Sequence, residues 1–102
     1  MKYSFIIPVF NRPSEVDELL ESLCAQTLRS FEAIVVEDGS QVPCEDVVKK
    51  YADRLDVHYF TKANSGPGQT RNFGVERAKG EYVLILDSDV VLPEGYLAAV
   101  SA

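Results

Sequence analysis

Two carboxylates one residue apart, Asp87 and Asp89, close an apolar run in the stretch VLILDSDVVLPEG, residues 83–95. Acids spaced i and i+2 at the end of a strand reach one cation, directly or through water, when the backbone turns there. Hard oxygen donors in that number suit Mg²⁺ or Mn²⁺, which keep several waters and also take substrate phosphates. The plainer alternative is that both acids are loop residues, or that Asp89 caps a short helix starting near Pro93. A second acidic turn, Glu37-Asp38-Gly39-Ser40, and a polar stretch, Pro8-Val9-Phe10-Asn11-Arg12, also follow apolar runs directly. Chemistry needs these stretches in one place, so the elements that carry them matter next.

Four short apolar runs, 3–9, 32–36, 57–60 and 82–86, are rich in β-branched and aromatic residues and read as strands buried on both faces. Between the first two, Ser14 stands as an N-cap and Glu15, Asp17 and Glu18 fill a first turn. Val16, Leu19, Leu20, Leu23 and Cys24 then form the apolar stripe of an amphipathic helix. A second helix is expected over 45–55, on Val47, Val48, Tyr51, Ala52 and Leu55. A third is expected over 68–78, with Gly74 for close helix approach and Gly80 to end it. Strand–helix alternation of this kind predicts an α/β fold: a Rossmann-like open parallel sheet with right-handed crossovers and helices on both faces. Ligands of such sheets bind beyond the strands' carboxyl ends, where all three polar stretches fall. The loop 61–68, with the turn chemistry of Gly66-Pro67-Gly68, can fold over the same edge.

Composition limits the rest. A chain of 102 residues with 46% hydrophobic content is one domain or a piece of one. It can bury roughly 65% of its unfolded surface without disulfides or a structural metal. Sixteen acids against ten bases leave a formal net charge of −6, with no basic stripe to neutralise a nucleic-acid backbone. The apolar run 3–10 is broken by Pro8 and too short to span a membrane, and it lacks a signal peptide's cleavage pattern. Cys24 and Cys44 form neither a C-x-x-C pair nor a disulfide framework, and read as reduced thiols of a cytoplasmic protein. His58 lies in a β-like run with no serine or cysteine in a triad arrangement, and reads as structural.

Five segments in order carry a resemblance over the whole chain: FIIPVFNRP (5–13), SLCAQT (22–27), VVEDGS (35–40), GPGQTRNFGVERAKGEYVLILDSDV (66–90) and LPEGYL (92–97). Together they resemble the inverting family 2 glycosyltransferases with the GT-A fold. The resemblance implies a nucleoside diphosphate sugar donor, commonly a UDP-sugar, held between the first strand's end and the acidic turn. Pro8, Val9 and Phe10 would line the nucleoside, Asp38 would accept hydrogen bonds from the base, and Arg71 would orient the nucleotide. Asp87 would face the ribose or metal-bound waters, with Glu37 and Ser88 in the same donor-binding set. Asp89, with Asp87, would bind the Mn²⁺ or Mg²⁺ that bridges the diphosphate. Asn11 and Arg12 stand either as donor contacts or as residues that shape the loop and cap the next helix, and Arg71 as a nucleotide contact or a solvated helix charge.

Members of the family continue into a second half that binds the acceptor and supplies a general base. No residue here can be assigned that base, so the expectation is a donor-binding N-terminal part, residues 1–102, not competent for transfer alone. The fourth strand would then be an exposed sheet edge that invites a homo-oligomer. The complete protein is expected in the cytoplasm or peripheral to the membrane, with the acceptor unknown. Two rivals use similar motifs. VVEDGS and DVVLP (89–93) resemble a phosphorylation receiver domain, and the D-x-D of residues 87–89 resembles the nucleophile strand of haloacid-dehalogenase-like phosphatases.

Overall fold

The computed structural model describes residues 2–101. β1 (Tyr3–Val9), β2 (Phe31–Asp38), β3 (Val57–Lys62) and β4 (Tyr82–Ile85) form one sheet in the order β3-β2-β1-β4, with every pairing parallel. Helices α1 (Pro13–Cys24), α2 (Glu45–Tyr51) and α3 (Pro67–Arg77) connect them, and a short α4 (Tyr96–Ser101) follows β4. The chain steps outward from β1 to β3, then crosses back to lay β4 on the far side of β1. That reversal makes the β1/β4 boundary the topological switch point, where the loops leave a crevice at the carboxyl ends.

Strand parity sorts the side chains into two cores, one on each face, as expected for helices on both sides. Tyr3, Phe5, Ile7 and Val9 of β1 join Val16, Leu19, Leu20 and Leu23 of α1 in the larger one, closed by Val48 and Tyr51 of α2. The opposite parity, Ile6 with Ile34 and Val36, meets Phe60 and α3's Phe73 in the smaller. There α3 lies so close that a Cβ on Gly74 would stand 2.5 Å from the Ile6 Cγ2. Only a glycine lets the helix approach that far. The segment after β4 is tied back to α1: Ser22 Oγ accepts the Leu92 N–H at 3.1 Å, and Gln26 bonds both the Pro93 carbonyl and the Leu97 N–H. Those bonds give the SLCAQT segment a structural role.

The structure corrects several expectations. Burial on both faces holds for β1 and β2 but not for the edge strands, and Tyr82, Val83 and Ile85 of β4 are exposed. Ser14 is not the α1 N-cap: Arg12 takes that position without a side-chain cap, because Pro13 starts the helix with its preset φ and no N–H to satisfy. Glu15 is the acid of that first turn. Helix α2 ends at Tyr51 and continues only as turns, which still deliver Leu55 to the core through its N–H bond to the Tyr51 carbonyl. β3 extends past Phe60 to Lys62 because β2 offers Asp38 as a register partner. Gly80 does not terminate α3, which already leaves helical geometry at Ala78. It instead presses on the β1 backbone, where an added Cβ would come within 2.7 Å of the Tyr3 carbonyl carbon.

Candidate functional site

The loops beyond the carboxyl ends of the strands enclose a cavity of about 420 Å³. β1 and the turn after it contribute Pro8, Val9, Phe10 and Arg12, while β2 contributes Asp38. The start of α3 adds Thr70 and Arg71, and the segment after β4 adds Asp87, Ser88 and Asp89. Phe10 is 49% exposed, so its ring offers a free apolar face at the crevice.

Asp38 ends the deeply buried β2, and its carboxylate is the organising group of the 61–68 loop. The Ser65 and Gly66 amides donate to it at 2.9 and 3.2 Å, and the Lys62 ammonium lies 3.3 Å away. Burial alone would push this carboxyl upward, but the Ser65 amide and Lys62 outweigh it and hold Asp38 below the usual carboxylate range. Asn64 adds an amide bond to the Asp38 carbonyl at 3.0 Å, and a Cβ at Gly39 would collide with Asn64. With φ at +68°, Gly39 is the residue that lets the two loops meet.

The D-x-D segment is built differently. The Val90 N–H donates to the Asp87 carbonyl at 3.1 Å, closing a turn with Ser88 and Asp89 at its corners. Both carboxylates are exposed and line the cavity. Two open carboxylates on a turn, facing a space with room for a diphosphate, are a donor set that fits a hexacoordinate oxygen-seeking cation. The condition set by the spacing, a backbone that turns between the acids, is met.

Two expected residues are placed elsewhere. Glu37 points into the α1/α2 core, 2% exposed, where its carboxylate accepts the Cys44 N–H at 2.7 Å, the Tyr59 hydroxyl at 2.9 Å and the Ser40 hydroxyl. Those bonds shape the loop after β2 and push the Tyr59 hydroxyl upward in pKa, after the larger effect of burial. Asn11 adopts a positive φ of 54°, and its Oδ1 accepts the Gln41 and Val42 amides at 2.7 and 3.0 Å. It pins the loop after β1 to the loop after β2, the shaping role its position allowed. In the other direction, Lys62, Asn64, Ser65 and Thr70 support the site but were not singled out beforehand. The Gly66-Pro67 turn signal marked their loop but not their contacts.

Comparison with known proteins agrees with the geometry. The family described as glycosyl transferase family 2 matches residues 4–100. An uncharacterized glycosyltransferase of Rickettsia bellii is 40% identical over 88 residues, covering 86% of this chain and 13% of that protein. The poly(ribitol-phosphate) beta-N-acetylglucosaminyltransferase TarS of Staphylococcus aureus is 39% identical over 93 residues, covering 87% of this chain and 16% of its own length. The crystal structure of S. aureus TarS 1-349 in complex with UDP-GlcNAc superposes with a TM-score of 0.93 at 36% identity, over 99% of this chain and 30% of that one. The chain thus spans less than a third of each of these relatives, and neither the receiver nor the phosphatase alternative is favoured. Among the described residues no helix is long and apolar enough to cross a membrane. With the family match running over residues 4–100 and the structural match over 99% of this chain, the chain belongs to glycosyltransferase family 2.

Proposed function

We propose that the cavity binds a nucleoside diphosphate sugar, a UDP-sugar by likeness to TarS, as the donor for transfer to an acceptor hydroxyl. One observation carries this reading: Asp38, Arg71 and the open Asp87/Asp89 turn converge on a single cavity walled by Pro8, Val9 and Phe10. In this reading the apolar wall and the Phe10 ring receive the base, Asp38 fixes its edge, and Arg71 takes nucleotide charge. Asp89, with Asp87, would hold Mn²⁺ or Mg²⁺, which when bound neutralises charge on the departing nucleoside diphosphate. Asp87 and Ser88, which line the same cavity, would also meet the ribose or metal-bound water. Inversion at the anomeric carbon needs a base for the acceptor hydroxyl. We assign that base and the acceptor site to parts of a complete protein beyond these residues, acting in the cytoplasm or at a membrane's cytoplasmic face.

The test is calorimetric titration of the folded chain with UDP, with and without Mn²⁺, beside Asp89→Ala. Mn²⁺-dependent binding that the variant loses is the expected result, and metal-independent or absent binding to a chain shown folded by circular dichroism rejects it. The chain alone is expected to bind donor without transferring sugar; efficient transfer would overturn the assignment of the base. The free side of β4, with Tyr82, Val83 and Ile85 exposed, supports a further element of the proposal, self-association through that edge. Sedimentation should show concentration-dependent association, and a monomer throughout would remove it.

A further inference from the structure

At the opposite end of the sheet from the cavity, three metal-ligating side chains meet: Glu32 of β2, His58 of β3 and Asp56 just before it. One ligand atom from each lies within 4.8 Å of the others. Glu32 and Asp38 are six residue steps apart along an extended strand, about 20 Å, so this cluster is independent of the donor cavity. We propose that Glu32, Asp56 and His58 form a second divalent-cation site, selective for a transition ion of the Zn²⁺ type over Mg²⁺.

The geometry carries the assignment. His58 Nε2 lies 3.5 Å from a Glu32 carboxylate oxygen and 3.0 Å from one of Asp56. A tetrahedral ion with ligands at about 2.0–2.1 Å places its donor atoms about 3.3 Å apart, so both separations match edges of that tetrahedron. Glu32 is 1% exposed and held in orientation: its Oε2 accepts the Ser4 hydroxyl at 2.6 Å and the Lys79 amide at 2.7 Å, which turns Oε1 toward the imidazole. Outer-sphere bonds of this kind are what fix a carboxylate ligand for a metal. The His58 and Asp56 side chains are 41% and 48% exposed, so an ion enters from solvent and keeps water as its fourth ligand. One imidazole with two carboxylates suits Zn²⁺ or Co²⁺, whereas Mg²⁺ prefers an all-oxygen octahedron.

Arg77 and Lys79 line the same shallow cavity and oppose a cation. The Arg77 guanidinium is drawn aside, 3.4 Å from the Phe73 ring centroid and donating to the Phe73 carbonyl. The affinity expected is therefore micromolar, not that of a closed structural site. Filling the site ties the edge strand β3 to the buried β2.

The test uses untagged chain freed of metal with a chelator, titrated with Co²⁺ and with Zn²⁺ in the absence of nucleotide. The expected result is the visible absorption of four-coordinate Co²⁺, displaced by Zn²⁺ but not by Mg²⁺, together with a Zn²⁺-dependent rise in Tm. His58→Ala should abolish both signals, and Asp56→Asn, at an exposed position that tolerates change, should weaken Zn²⁺ binding by about tenfold or more. Asp89→Ala should leave both signals in place. Failure of Co²⁺ or Zn²⁺ to bind, binding that survives in His58→Ala, or a Zn²⁺ affinity unchanged in Asp56→Asn overturns the proposal and leaves the cluster as a polar contact among three side chains.

Discussion

Asp38 and the Asp87/Asp89 pair face one cavity from two acidic turns, yet the protein treats them in opposite ways. Asp38 is sunk at the end of a strand buried on both faces and is held by two backbone amides and an ammonium group. Asp87 and Asp89 stand exposed on a turn after the edge strand β4. The contrast separates two tasks. A carboxylate already satisfied inside the protein gives a loop its shape and presents a fixed edge, while carboxylates left to solvent can give their oxygens to an incoming cation. Adjacent residues divide in the same manner. Glu37 shares the parity of Phe31, Ala33 and Val35 and enters the larger core, whereas Asp38 shares the parity of Ile34 and Val36 and reaches the cavity.

The sharpest way to break this comparison is to remove a carboxylate from the core side. Glu37→Ala strands the buried Cys44 amide and the Tyr59 hydroxyl without their acceptor. It should cost about 3 kcal/mol and lower Tm by on the order of 15 °C, with nucleotide affinity changed only through the loop. Thermal unfolding checks it; an undiminished Tm would mean water replaces the carboxylate. Asp89→Ala is the mirror case. It should leave stability within about 0.5 kcal/mol while reducing Mn²⁺-dependent UDP binding by about a hundredfold, or roughly 2.7 kcal/mol. A variant with a lowered Tm and unchanged UDP affinity would reverse the two roles.

Asp38 lies between these extremes, and pH reveals it. Its carboxyl is held below the usual range, so the stability it contributes is complete above the unfolded value of about 3.9 and fades as pH falls toward the lower folded value. Asp38→Asn should cost about 2 kcal/mol at neutral pH and flatten the dependence of stability on pH below about 4. Some slope should survive, because Asp17 is also held low, first by its bond from Lys50 and then by Tyr51. Denaturant titrations at pH 7 and pH 3.5 would resolve this. Equal slopes for wild type and variant would show that Asp38 is not the acid-sensitive group.

Much of this architecture was legible beforehand, for reasons the strands make clear. β1 and β2 are apolar because neighbours cover both faces, and period-two parity then assigns each side chain to a core. β4 carries a similar apolar composition but lies at an edge, and local composition does not encode which strand has a neighbour. Cavity residues were legible wherever a polar stretch ended a strand, since parallel topology sends all those ends to one side. Asn11 and Glu37 satisfied the same pattern and proved to be loop fasteners, because their partners, the amides of Gln41, Val42 and Cys44, lie in a different loop or across one. The Glu32–Asp56–His58 cluster was invisible in the same way: Glu32 comes from β2, His58 from β3 and its near neighbour Asp56 from the position just before β3, and only the register that sets Ile34 beside His58 brings them together.

The smallest effect worth measuring falls on Arg12, whose position permits either role. Its guanidinium pairs with Glu15 at 3.8 Å, with the two side chains 56% and 36% exposed, a geometry that contributes under about 0.5 kcal/mol. The N-cap duty belongs to its backbone carbonyl, which accepts the Val16 N–H at 3.0 Å and survives any substitution of the side chain. Arg12→Ala should therefore leave Tm unchanged within error, and whatever it does to UDP binding reports the side chain's contact with the donor. A several-fold loss that diminishes in high salt would place the guanidinium among the groups that meet nucleotide charge, as exposed charge pairs are screened. Unchanged binding would assign the site's cationic work to Arg71 and the bound metal, and leave Arg12 as the backbone N-cap of α1.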